Sequence, residues 1–355
     1  MSLTVPAGTE LHLCQFATLP TTTDVEATAF SHRYTPGSHH FVVIATDLDT
    51  APADMPGQYD CTNGNEPVLA HGKGVLYGGQ TPIGNFPLPS GVGFNFRPRQ
   101  VVILQTHYLN TGATALDAKV EFGIDLAAPG TIKQEAGFMF FYDPFVYLPA
   151  GGTSMTGLGC KVPNDITVIS ASTHYHQRGT GMRVWNDVGG TPSASPFFET
   201  HDWEHPVDFH GPLAVASGSR LRFECEYKNP EAQEIFEGPN AKTSEMCVFG
   251  GLYYPKQDPA FDHCEEPTVQ SGGAKTCSDQ VTCLQSCPGG ERLSGPCFQR
   301  CIGSGCAGAT DALVPLIGCA QQKCQEECGA GHCSDCAAAK CADVLQPCVS
   351  HTCAH

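Results

Sequence analysis

Through residue 268 the chain is patterned in short apolar or alternating runs: positions 40–45 (HFVVIA), 101–105 (VVILQ), 166–170 (ITVIS) and 221–225 (LRFEC) are separated by clusters of Gly, Pro, Asn and Asp. Alternation with period two belongs to a strand with one buried face, and β-branched and aromatic residues between turn formers favour the same state. Few stretches carry a helical period, so the region is expected to be mainly β. Its density of strands and turns fits two tandem antiparallel jelly-roll β-sandwich domains, residues 1–130 and 131–268, better than one oversized sandwich; the boundary falls at Ala128-Pro129-Gly130. Beyond residue 268 aromatic residues nearly vanish, and fourteen of the twenty cysteines lie between Cys277 and Cys353. Their spacings include Cys283/Cys287, Cys297/Cys301 and Cys324/Cys328. Positions i and i+4 share a helical face, so residues 269–355 are expected to form small helices stapled by disulfides, with the connectivity open. A zinc site would need a second pair at finger spacing beside Cys333/Cys336, and none occurs.

At 355 residues there is room for two or three such units, each with its own core. Twenty cysteines, an even number, imply an oxidising compartment, so the protein is expected to be secreted or periplasmic. The start, Met1 to Pro6, lacks the basic and apolar regions of an export signal, which is taken to have been removed from this form. No run approaches the roughly 18 consecutive apolar residues of a membrane span. The formal charge of −17 sits mainly in the first 270 residues, with 29 acidic against 14 basic side chains. Such a surface repels a phosphate backbone and argues against nucleic acid as a partner.

Candidate chemistry lies in four short motifs. Thr173-His174-Tyr175-His176 follows a strand pattern, and on a strand residues i and i+2 project to one face, so both imidazoles can converge on a metal. His39-His40 is harder to use, since adjacent strand residues point to opposite faces unless a bend, here at Gly37-Ser38, intervenes. His107 follows the apolar run 101–104, and Met246 stands in Ser244-Glu245-Met246-Cys247. Taken singly, the last three have ordinary readings as a surface pair, a half-buried histidine and a core methionine. Three imidazoles, and two imidazoles with a thioether, are nevertheless donor sets suited to copper cycling between Cu(I) and Cu(II).

In order and spacing these motifs, with the downstream Tyr253-Tyr254-Pro255, resemble the copper type II, ascorbate-dependent monooxygenases over about residues 10–268. The resemblance implies two copper ions per chain: an electron-transfer copper on His39, His40 and His107 in the first domain, and an oxygen-activating copper on His174, His176 and Met246 in the second. It also implies the disulfides Cys14–Cys61, Cys160–Cys264 and Cys225–Cys247, the last anchoring the strand that bears Met246. A free Cys247 acting as a copper ligand is the alternative reading of that residue. The reaction implied is hydroxylation of a C–H bond by dioxygen, one oxygen atom entering the product and the other leaving as water. Two electrons come from an external reductant, ascorbate in the family. Gln105 matches a family glutamine facing the gap between the coppers, where it would orient water or substrate.

The pattern departs at the substrate. The peptide-amidating branch grips a carboxylate with an arginine two positions before its His-x-His, and with an asparagine and a tyrosine after the methionine; here those positions are Ser172, Val248 and Gly250. Serine cannot replace a guanidinium fork, so a glycine-extended peptide is not expected. Ser172, Val248, Gly250 and Leu252 are expected to line a roomier, less polar pocket for a small hydrophobic or aromatic molecule. Glu245, beside Met246, would tolerate a cation there. His201, Trp203, His205 and His210 read as a solvent-exposed loop rather than a further metal site, and His12, His32 and His71 fall in no usable pattern. The competing function is a copper carrier or sensor without turnover, its Cys-rich tail binding a partner. A monomer is expected in either case.

Overall fold

A computed structural model describes residues 1–353 except 56, 62–70, 205, 265–266, 272, 289–294, 307 and 330–331. The chain is mainly β, with helices gathered at the C-terminal end. The first body is built from β1 (Ser2–Val5), β2 (Glu10–Thr18), β3 (Val25–Tyr34), β4 (Ser38–Thr46), β5 (Gln58–Asp60), β6 (Gly72–Gly79), β7 (Ile83–Pro87), β8 (Val92–Phe96), β9 (Val101–Leu109), β10 (Leu116–Leu126) and β11 (Gln134–Glu135). One of its sheets has the order β1-β10-β3-β8-β11, with β7 also on β3, and the other β5-β2-β9-β4-β6. Phe30 and Val120 from the first sheet share a core with Phe41, Tyr77 and Tyr108 from the second, so the sheets pack face to face. The chain crosses to the second body between Glu135, still paired with Gly93, and Gly137.

The second body comprises β12 (Gly137–Tyr142), β13 (Tyr147–Leu148), β14 (Thr153–Lys161), β15 (Ile166–Tyr175), β16 (Gly179–Asp187), β17 (Phe198–Thr200), β18 (Phe209–Val215), β19 (Arg220–Lys228), β20 (Ile235–Phe236), β21 (Cys247–Tyr254) and β22 (Pro267–Ser271). A sheet of order β12-β21-β15-β18 faces one of order β17-β16-β19-β14-β22, and β13 pairs with β20 at the side. Val168, Phe249 and Tyr253 meet Leu158, Val184 and Phe223 in the shared core, each fully buried. Burying one such side chain stabilises the fold by about 1.5–3 kcal/mol, which sets the register that the site then uses. Three disulfides brace the two bodies: Cys14–Cys61, Cys160–Cys264 and Cys225–Cys247.

After the short α1 (Pro259–Asp262) come α2 (Cys277–Gln285), α3 (Pro296–Gly303), α4 (Ala309–Lys323), α5 (Gln325–Gly329), α6 (Cys333–Lys340) and α7 (Ala342–Ser350). The i,i+4 cysteines pair across helices. Cys283 and Cys287 of the α2 region bond Cys301 and Cys297 of α3. Cys324 and Cys328 bond Cys336 and Cys333, which removes the zinc reading of Cys333/Cys336. Cys277–Cys348, Cys306–Cys353 and Cys319–Cys341 complete the tail, and no cysteine is free. The tail has its own small core around Ile302, Leu313 and Leu316, and it docks on the second body. Arg300 holds Glu234 at 2.7–3.1 Å, the side-chain oxygen of buried Gln299 accepts from the Glu237 N–H at 2.7 Å, and Phe145 packs against the tail core. No helix among the described residues is long and apolar enough to cross a membrane.

Cys160–Cys264 closes a sequence separation of 104 residues, whereas Cys283–Cys301 closes 18 within the tail. Replacing Cys160 and Cys264 together by alanine is expected to lower stability by about 2–5 kcal/mol in urea melts of the full chain. The Cys283→Ala/Cys301→Ala pair should leave the melting of the second body nearly unchanged; equal losses from both would contradict the packing described.

Candidate metal centre

The obstacle to using both His39 and His40 is removed by a β-bulge. On β4, Ser38 lies opposite Tyr108 of β9 and His40 lies opposite His107, so His39 is an extra residue with no partner of its own. A bulge of this kind re-aims side chains that strict alternation would separate. It follows Gly37, whose φ of 109° is the left-handed region that glycine tolerates, and Ser38 Oγ donates toward both the His40 and His107 carbonyls, at 2.9 and 3.0 Å. Both imidazoles thereby reach His107: ring centres lie 5.2 Å from His39 and 4.9 Å from His40.

His174 and His176 come from the end of β15, on one face of the strand, and their rings lie 5.3 Å apart. Met246 immediately precedes β21, whose first residue Cys247 pairs with Tyr175. The thioether therefore enters beside the same strand end.

The two motif groups are not segregated. His39 lies 4.8 Å from His174 and 5.7 Å from His176 by ring centres, and His40 lies 5.2 Å from His174. Ligand nitrogens of His39, His40 and His107 all fall within 4.8 Å of one another, and those of His39, His174 and His176 do the same. His39 is common to both sets.

Each ring has one nitrogen engaged or turned away and one left over. Glu10 receives His107 Nε2 at 2.8 Å, Gln80 Oε1 meets His174 Nδ1 at 2.7 Å, and the Ser244 carbonyl meets His176 Nδ1 at 3.0 Å. What remains is His39 Nε2, His40 Nδ1, His107 Nδ1, His174 Nε2 and His176 Nε2, all buried without a hydrogen-bond partner. Burial, with mutual repulsion between the rings, pushes His39, His40 and His174 well below the usual imidazole value, and burial brings His107 and His176 to about 4. Neutral imidazoles with a free lone pair are metal donors, and ligand orientation through the other ring nitrogen is how metal-binding histidines are fixed. With Met246 the donors are nitrogen and thioether sulfur, a set that suits copper.

Several of the groups that hold this arrangement have no motif. Glu10 also accepts the Ala241 N–H at 3.0 Å, joining the first body to the loop before Met246. Burial opposes ionisation of Glu10, but hydrogen bonds from His107, His12 and Ala241 keep its carboxyl well below the ordinary carboxylate range. His12, which fell in no pattern, is stacked on His107 with ring centres 3.6 Å apart. Trp203 stands edge to face against His39 at 5.6 Å. His201 and His210 are exposed, and His205 lies outside the described residues. Glu245 corrects the expectation that it would tolerate a cation. It is fully buried and accepts the N–H groups of His176 at 2.9 Å and Arg178 at 2.8 Å, so it shapes the turn after β15 rather than the pocket.

A cavity of about 440 Å³ opens between the two bodies, with His40, His174 and Met246 on its wall. Ser172, Val248, Gly250 and Leu252 all line it, and so does Gln105, whose amide nitrogen lies 3.8 and 3.9 Å from the sulfurs of Cys14–Cys61. At Gly250 the nearest atoms to an added Cβ would be 3.4 Å away, so the absent side chain enlarges the cavity. The remaining wall is largely apolar, from Val42, Ile44 and Val75 of the first body to Phe138 and Phe140 of the second.

No curated protein matches the chain. Residues 155–272 match the model of the copper type II ascorbate-dependent monooxygenase C-terminal domain. That span contains His174, His176 and Met246 together with most of the second body, which is thus similar to the C-terminal domain of the copper type II ascorbate-dependent monooxygenases.

Proposed function

We propose that the chain is a secreted two-copper monooxygenase that hydroxylates a C–H bond of a small, largely apolar molecule with O2, using ascorbate or another one-electron reductant. The observation that carries this reading is the set of five buried imidazole nitrogens without partners, with His40, His174 and Met246 on a cavity wall. His39, His40 and His107 would hold one ion, and His174, His176 and Met246 the other. Copper bound there supplies one-electron chemistry and activation of dioxygen.

The chain's own part is orientation and exclusion of water. Glu10, Gln80 and the Ser244 carbonyl select which nitrogen of His107, His174 and His176 faces inward. Gln105, on the cavity wall, would orient water or substrate. The apolar wall seats the substrate body, and the room at Gly250 admits it. Ser172, Val248 and Gly250 provide no carboxylate clamp, so a glycine-extended peptide is not the substrate in this reading. Ten disulfides and the lack of a membrane-crossing helix among the described residues fit secretion. Residues 1–130 and 131–268 are read as the two jelly-roll copper domains of the family, residues 269–355 as a docked Cys-rich module, and the whole as a monomer.

Metal content measured together with oxygen uptake tests the reading. Two coppers per chain and ascorbate-dependent oxygen consumption are expected, the latter collapsing in Met246→Ile. Copper without oxygen consumption across varied substrates would instead favour the carrier, and a single zinc would overturn the copper assignment. A second measurement concerns Glu10, which touches only one of the two donor sets through His107. Glu10→Ala should weaken copper binding at the His39/His40/His107 set by roughly 10- to 100-fold in a competition titration, while the second copper stays in place. Unchanged affinity at both would remove Glu10 from the assignment.

A further inference from the structure

The row of imidazoles that includes His40 continues on the other side of β9. His107 lies opposite His40 of β4 and, on its far side, opposite His12 of β2, so three histidines stand abreast on adjacent strands. Glu10 precedes His12 by two residues on β2 and projects to the same face. Its Oε1 lies 2.8 Å from His107 Nε2 and 3.9 Å from His12 Nε2. One ligand atom each from Glu10, His12 and His107 falls within 4.8 Å of the other two.

These groups are out of water: the side chains of Glu10 and His12 are 6% and 3% exposed, and that of His107 not at all. The second carboxylate oxygen, Glu10 Oε2, is buried without a hydrogen-bond partner. Fixing the ring of His107 needs only Oε1. That role explains neither the unused oxygen nor a second imidazole brought to the same carboxylate.

A zinc ion with bonds of about 2.0–2.2 Å holds tetrahedral donors about 3.4 Å apart, and the observed 2.8 and 3.9 Å straddle that spacing. One carboxylate and two imidazoles are a donor set that zinc uses with a fourth position open. His107 can serve such an ion and the copper set together, since Nε2 faces Glu10 while Nδ1 is the nitrogen left over. Zinc would replace the Nε2 proton, which leaves to solvent. The resulting imidazolate and the Glu10 carboxylate together balance the charge of the ion, the condition for burying it. We propose that Glu10, His12 and His107 form a third metal site, which takes zinc and shares His107 as a bridge with the His39/His40/His107 copper set. The inference goes beyond the monooxygenase reading and needs no turnover.

The test is zinc uptake by the full copper-loaded chain: incubation with excess Zn(II), removal of free metal by gel filtration, and measurement of zinc and copper in the same fractions. One zinc per chain on top of two coppers is expected. His12→Phe keeps an aromatic ring against His107 and removes the donor; in a competition titration with a chromophoric chelator it should weaken zinc binding by roughly 100-fold while both coppers stay. Absence of zinc from the unaltered chain overturns the proposal whatever the folding of the variant. Zinc gained only as copper is lost also overturns it, as does zinc bound undiminished by His12→Phe. Copper content of the same samples separates the two claims. Two coppers without zinc overturn this inference alone, and a chain that takes up no copper but binds one zinc through His12 supports it while overturning the proposed function.

Discussion

Five imidazole nitrogens kept dry and unpaired between two β-bodies are the constraint that the surrounding structure serves. An unsatisfied buried polar atom costs about 1–3 kcal/mol, and several together would take up much of the margin of a folded domain. Protonation offers no relief, because burial and neighbouring rings hold all five histidines below the ordinary imidazole value. Such a cluster persists where the surroundings over-determine each ring and where a ligand with the matching chemistry compensates. The bulge at His39, the carboxylate of Glu10 and the amide of Gln80 are the over-determining groups.

These groups act across the boundary between the bodies. Glu10, from β2, orients His107 within its own body and at the same time binds the backbone of Ala241, five residues before Met246. Gln80, just after β6 of the same body, reaches across in the same direction: it orients His174 and donates to the Thr173 carbonyl at 2.8 Å. The first body thus supplies two side chains that bond to the motif regions of the second, Glu10 at Ala241 and Gln80 at Thr173 and His174. The cavity lies along the same interface, which couples the fit of a substrate to the placement of the histidines by geometry alone.

What could be read along the chain follows from local periodicity. The His174/His176 pair is legible because period two puts i and i+2 on one face, and β21 after Met246 is legible as an apolar run. Helices stapled at i,i+4 are legible from Cys283/Cys287 and Cys324/Cys328, although their pairing partners are not. The bulge at His39 is invisible, since a one-residue register shift depends on how Ser38 meets β9. Glu10, His12 and Gln80 are invisible for a different reason. The site groups they meet lie from 94 to 231 residues away, and nothing in a lone Glu, His or Gln distinguishes an orienting group from surface polarity. Glu245 shows the converse error: proximity to Met246 in sequence suggested the pocket, but on a strand-like approach the neighbour of a site residue points away from it.

The same logic gives the Cys-rich tail a place in the scaffold of the site. A thioether on an unbranched side chain is adaptable, so its position depends on how firmly the backbone on either side is held. Downstream of Met246 the chain is held by Cys225–Cys247. Upstream, Asn240 closes a turn by accepting the N–H groups of Lys242 and Thr243, and Glu10 binds Ala241 from the first body. The far end of that loop is held by the tail, through buried Gln299 on the Glu237 N–H and Arg300 on Glu234. Helix α3 can supply both contacts because Cys283–Cys301 and Cys287–Cys297 staple it to α2 despite a core too small to hold two short helices on its own. The loop that delivers Met246 is therefore braced from the first body, the second body and the tail.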